Sequence, residues 1–246
     1  MVAGLAFLAT AIATLFAQAT LVRWTQGRAP HQGAWTVALA MYAAASAALA
    51  TGESTGWDGG TYRVFYLFGA ILVVPWLALG TVHLLVGPTA GRRVLLGLLV
   101  FSGLAAGVVL TTELTQPIAT SGIPVGKEHF DAFPRVLAAL GSGIGATVVL
   151  AGAVISVVRA LRRRNEGRLA IANGLIALGV LLNSSGGLVQ GVVGHDEAFT
   201  LALAAGVAAI YAGFSVATSG ASARRTSLPA KLRGNDATTS TRLGSL

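Results

Sequence analysis

The chain has 246 residues, of which 54% are hydrophobic and 11% charged, with a formal net charge of +8 and no cysteine. A soluble domain carries about a quarter of its residues as charges, so this composition excludes an ordinary soluble enzyme. The missing thiols exclude disulfides, thiolate metal centres and cysteine nucleophiles.

Seven apolar runs predict seven transmembrane helices, at about 3–22, 34–51, 62–86, 94–112, 134–158, 169–190 and 198–218. Each is near the ~20 residues that cross ~30 Å of hydrocarbon. The first has no basic segment before it and no clear cleavage site, so it reads as a helix rather than a secretory signal. Trp24 and Trp35 flank the next loop, and Trp57, Tyr62 and Tyr66 lie near the start of the third run. These are expected to be interfacial belt positions. The third and fifth runs are long enough to tilt. The fourth carries Gly103 and Gly107 and ends in Thr111, Thr112 and Glu113. The segment from 113 to 133 contains Pro117, Gly122, Pro124 and Gly126 and is expected to be irregular. Pro134 suits the first turn of the fifth helix. There Gly141, Gly145, Gly152 and Ser156 share a face that favours a close helix crossing within the bundle. The sixth run holds Asn183, Ser184, Ser185, Gly187 and Gln190, with Gly191 just beyond it. The domain is therefore expected to span 1–219, with a disordered tail over 220–246 that has little to bury.

The loops alternate in charge. Fourteen of the 17 basic residues fall on one side, after the first, third, fifth and seventh runs; only Arg63, Lys127 and Arg135 fall on the other. Glu53, Asp58, Glu113, Glu128, Asp131, Asp196 and Glu197 sort with those three. The positive-inside rule then predicts an amino terminus outside and a carboxyl terminus in the cytoplasm. The basic excess speaks of orientation and of contact with anionic lipid, not of nucleic acid. Arginine far exceeds lysine, and with abundant alanine, glycine and valine this suggests a GC-rich bacterial genome and a bacterial cytoplasmic membrane.

Several chemistries are excluded. The seventh run has no lysine for a retinal Schiff base. A membrane cytochrome needs paired axial histidines inside the bundle, and only His83 lies in a run, near its cytoplasmic end. His31 lies on the same side, but nothing in the spacing requires the two to meet. The glycine clusters sit inside membrane runs and are packing glycines, not phosphate loops.

Two groups of residues remain as candidates. Tyr62, Arg63, Tyr66, Thr112, Glu113, Asn183 and Gln190 all fall in the outer half and are expected to line an outward-facing polar cavity, with Asn183 and Gln190 facing the third and fourth helices. Interhelical hydrogen bonding is the plainer reading of the same groups. His129, Asp131, His195 and Asp196 are nitrogen and oxygen donors suited to a divalent metal at the outer face. The plainer reading there is acids sorted by topology, with Asp196 and Glu197 favoured by a helix N-terminus. No cofactor is otherwise implied.

The run Tyr62-Arg63-Val64-Phe65-Tyr66-Leu67-Phe68-Gly69 and the glycine-rich start of the fifth helix resemble uncharacterised seven-helix membrane proteins of actinobacteria. The resemblance implies a seven-helix bundle and attaches no activity. The sugar-efflux type of seven-helix transporter is not matched, because no Pro-Gln pair occurs in the first or fifth run. The expectation is an all-α, polytopic seven-helix bundle that binds or transports a small ligand. The alternatives are a membrane enzyme acting on a lipid or isoprenoid, with Glu113 as acid, or an accessory subunit packed against a membrane-protein partner or a second copy.

Overall fold

A computed structural model describes residues 1–118, 122–162, 171–172, 174–183 and 196–226. All regular structure among them is helical: α1 (Val2–Gly27), α2 (Pro30–Thr55), α3 (Gly59–Leu85), α4 (Pro88–Thr111), α5 (Ala132–Arg162), α6 (Gly174–Asn183) and α7 (Asp196–Thr226). Six of these are long and apolar enough to cross a membrane, and α6 is a shorter apolar helix. The protein is thus an all-α, multi-pass membrane protein.

The six long helices exceed the apolar runs because local chemistry, not hydropathy, sets their ends. α1 stops at Arg28, held in the left-handed region at φ 52°, and Pro30 opens α2 two residues later. Proline suits this first position, since its missing N–H would find no partner there. The turn from α3 to α4 repeats the device with Gly87 at φ 111° and then Pro88. Between α2 and α3, Gly56 at φ 95° ends one helix and Asp58 caps the next. The Asp58 carboxylate accepts hydrogen bonds from the Gly60 and Thr61 amides, at 2.7 and 3.0 Å, and from the Thr61 hydroxyl at 2.6 Å. α7 continues to Thr226, past the boundary expected at 219. The remainder of the expected tail, 227–246, lies outside the described residues, as do 163–170 and 184–195.

Two-residue connections make α1 and α2 antiparallel neighbours. α1 packs on α2 and α7, α2 packs on α3, and α3 packs on α5. α6 joins through Val180, which meets Ala78 of α3 and Val149 of α5. Among the described residues, Arg23, Arg28, Arg92, Arg93, Arg159 and Arg162 lie at one end of the bundle, called here the basic rim, and the acids lie at the other, the acidic rim, together with Arg63, Lys127 and Arg135.

α3 is the irregular element. Its turns over Tyr66–Leu72 are a π-helix, and Pro75 follows. Proline cannot donate to the carbonyl four residues back, and wide turns of this kind accompany functional sites. α5 lies directly against this stretch. A Cβ placed on Gly141 would stand 2.7 Å from the Ile71 carbonyl oxygen, and one on Gly145 would stand 2.9 Å from the Pro75 nitrogen. Ser142 between them donates to the Ala70 carbonyl at 2.5 Å. A Cβ on Gly152 would collide with Thr81. The expected small face of α5 is therefore a crossing within the bundle.

α4 behaves differently from α5. A Cβ on Gly97, Gly103 or Gly107 would meet nothing within 4 Å. The same helix leaves Val100 75% exposed, so these three glycines pack against none of the described residues, whereas Gly91 at the start of the helix packs on His83. The close crossing at α7 instead involves Gly179 and Gly206, each of which would push a Cβ into the other's carbonyl oxygen.

Candidate functional site

The acidic rim carries an aromatic cluster that closes the end of the bundle. Tyr62 and Tyr66, one turn apart on α3, are fully and almost fully buried. The segment after α4 folds back over them. Phe130 stacks on Tyr62 at 5.3 Å and tilts against Tyr66 at 4.8 Å, and the buried His129 ring meets Tyr62 edge-on at 5.4 Å. Gly126 is needed here, because a Cβ would stand 2.6 Å from the Tyr66 ring. Two bonds knit the segment together: the Thr115 amide donates to the His129 carbonyl at 3.1 Å, and the Thr115 hydroxyl to the Glu128 carbonyl at 2.7 Å. A third ties it to α7, where Asp196 accepts from the Ile123 amide at 3.1 Å. The segment is irregular as expected, apart from one helical turn at Gly126–His129.

Under this cover the Tyr62 hydroxyl is buried and has no hydrogen-bond partner among the described residues. Buried hydroxyls are normally satisfied, and one left alone costs about 1–3 kcal/mol. Glu128 and Tyr66 are its electrostatic neighbours.

The other candidates divide between this place and elsewhere. Arg63 reaches across to α4 and donates to the Val109 carbonyl. Thr112 is half-buried and Glu113 is exposed, so no carboxylate of α4 stands inside the bundle. Asn183 does not face α3 and α4. Its side-chain oxygen lies 3.5 Å from the Tyr42 hydroxyl of α2 and against Gly206 of α7, while Tyr42 donates to the Leu203 carbonyl at 2.9 Å. The reason is the Gly179–Gly206 crossing, which draws the end of α6 onto α7. Gln190 lies outside the described residues.

Three of the four candidate metal donors, His129, Asp131 and Asp196, lie among the described residues, and these three do not assemble. Among the described residues no three histidine or acidic side chains come together. His129 turns inward, with Nδ1 3.4 Å from the Gln116 carbonyl oxygen. Asp131 is exposed, Asp196 is engaged with Ile123, and His195 lies outside the described residues. Asp196 and Glu197 occupy the first turn of α7, as the plainer reading held.

Of the aromatic residues expected at the lipid belt, Trp57, Tyr62 and Tyr66 are buried, while Trp24 and Trp35 are half-buried. Trp57 is buried on Gly52 and donates to Glu53 at 3.0 Å. Trp35 lies against Gly80 and donates to the Leu77 carbonyl of α3 at 3.2 Å. Sequence reasoning missed Phe130 and Tyr42 as partners. Tyr42 alone had a signal, a phenol in the middle of an alanine-rich membrane helix.

The fold and the rim define a class, the multi-pass helical membrane protein. Comparison with protein-family models, with curated proteins and with solved structures finds no match.

Proposed function

We propose that this protein sits in the bacterial cytoplasmic membrane as a seven-helix bundle, its amino terminus outside, and binds a small polar ligand beneath the segment that covers its outer end. The supporting observation is the Tyr62 hydroxyl, buried and unpartnered under Phe130 and His129. A polar group kept in such a place suits a ligand or water that bonds it when bound. Tyr62, His129 and Glu128 would supply the polar contacts, and Phe130 and Tyr66 the walls. The exposed position of Glu113 counts against the enzyme alternative, which needs that acid enclosed.

Tyr62→Phe separates binding from packing. The variant should lose any molecule that co-purifies with the wild type, read by mass spectrometry of the extracted protein. Its ligand-free melting temperature should hold or rise, because an unsatisfied polar atom has been removed. A fall in melting temperature with the same co-purified molecules would end the reading.

The open glycines of α4 favour a second reading, an accessory subunit or homo-oligomer that uses this helix. Gly103→Cys should then cross-link to a partner chain under mild oxidation. A strictly monomeric product would remove it.

A further inference from the structure

The basic rim holds a cluster that the outer site does not use. His31 is in the first turn of α2, half-buried, with its ring edge-on to Trp35 at 5.2 Å. His83 is in the last turn of α3, and its imidazole lies against Gly91 in the first turns of α4, where a Cβ would collide with Nδ1. The Nδ1 atom is buried and has no hydrogen-bond partner among the described residues. The two imidazoles are electrostatic neighbours, and Arg92 is a charged neighbour of His83. Three groups able to carry positive charge therefore meet where no described acid lies. Neither α2 nor α4 has an acid in its first turn or a side chain capping it. Uncapped helix starts add partial positive charge of their own.

We propose that His31, His83 and Arg92 form a phosphate-group site at the basic rim, occupied by the phosphodiester of an anionic phospholipid or by free phosphate. Arg92 brings a positive charge that no described acid answers, and an anion supplies that counter-charge. A cation fits poorly, because Arg92 repels it and no third metal donor is present among the described residues. A guanidinium fork binds phosphate oxygens in two parallel bonds. His83 supports the same geometry. A lone pair on the buried Nδ1 costs less than an unmade N–H there, which leaves the proton on Nε2 as a donor. Helix starts at Pro30 and Pro88 place the cluster at the end of the membrane-spanning segments, the depth of lipid phosphates.

The full chain is purified in neutral detergent and its melting temperature followed on adding phosphatidylglycerol, phosphatidylcholine or inorganic phosphate at matched ionic strength. Phosphatidylglycerol or inorganic phosphate should raise it by several degrees, since a ligand of the folded state alone stabilises that state. Phosphatidylcholine should not. A response to phosphatidylglycerol alone assigns the lipid source, and a response to inorganic phosphate assigns the free ion. Arg92→Gln should at least halve the shift, and Arg93→Gln, its exposed neighbour, should leave it. His31→Gln should also reduce it. No shift with either anion overturns the site. Equal losses in the Arg92 and Arg93 variants overturn it too, because they mean diffuse charge. Arg92 is exposed, so its variant tests the site without disturbing the core.

Discussion

Single residues of one type play opposite parts in this protein, and the contacts tell which. Gly141 touches the backbone of α3, whereas Gly103 touches none of the described residues. Gly141→Ala must move a carbonyl or a helix and should cost about 1–3 kcal/mol. Gly103→Ala should be neutral or slightly stabilising, because alanine is the better helix former by about 1 kcal/mol. Melting in detergent distinguishes them, and equal effects would refute the close crossing at Ile71. Asp58 gives a pH-dependent case. The Thr61 hydroxyl, then the Thr61 and Gly60 amides, hold its carboxyl below the ordinary carboxylate value. A depressed folded value means stability that is present above the unfolded value and lost as pH falls through the folded one. Asp58→Ala should therefore lower the melting temperature at neutral pH, and the difference should close in acid. A difference that persists at the lowest pH tested would assign it to something other than the cap.

At the scale of elements, the sequence reveals runs and faces but not partners. Hydropathy found the apolar runs, since bilayer thickness fixes their length. It undershot the helix ends because local chemistry sets them: Pro30 and Pro88 fit a first helical turn, and Asp58 caps one through its carboxylate. The glycine face of α5 was legible because small residues recur on one side. Gly103 and Gly107 of α4 looked the same and pack against none of the described residues, so spacing alone does not choose a neighbour. Tyr62 and Tyr66 were expected both at the lipid belt and in the cavity, and they are buried in the rim. The amphipathic rings that suit headgroup depth also suit a packed rim. Their partner Phe130 lies far along the chain, and no local pattern joins them. The covering segment itself depends on few bonds, of which Asp196 to Ile123 is the link to α7. Asp196→Ala should raise hydrogen exchange across 122–131 by roughly tenfold, the effect of about 1.4 kcal/mol in local opening. Unchanged exchange there would mean that the aromatic stack alone holds the segment down.

For the whole molecule, charge is separated along the bundle axis, and this separation decides which compartment each site faces. Arg23, Arg28, Arg92, Arg93, Arg159 and Arg162 lie at the end where α2 and α4 begin, and Glu53, Asp58, Glu113, Glu128, Asp131, Asp196 and Glu197 lie at the other. Basic loops are retained in the cytoplasm during insertion, so Tyr62 and its covering segment should face outward and the His31–His83–Arg92 cluster inward. The absence of cysteine leaves a clean background for labelling. Ser54, exposed near the acidic rim, and Thr89, exposed at the basic rim, are suitable positions. In intact cells an impermeant maleimide should modify Ser54→Cys and leave Thr89→Cys unreacted until the membrane is opened. The reverse pattern would turn the molecule over. The aromatic-covered site would then open to the cytoplasm, and the phosphate-group site would face the outer leaflet.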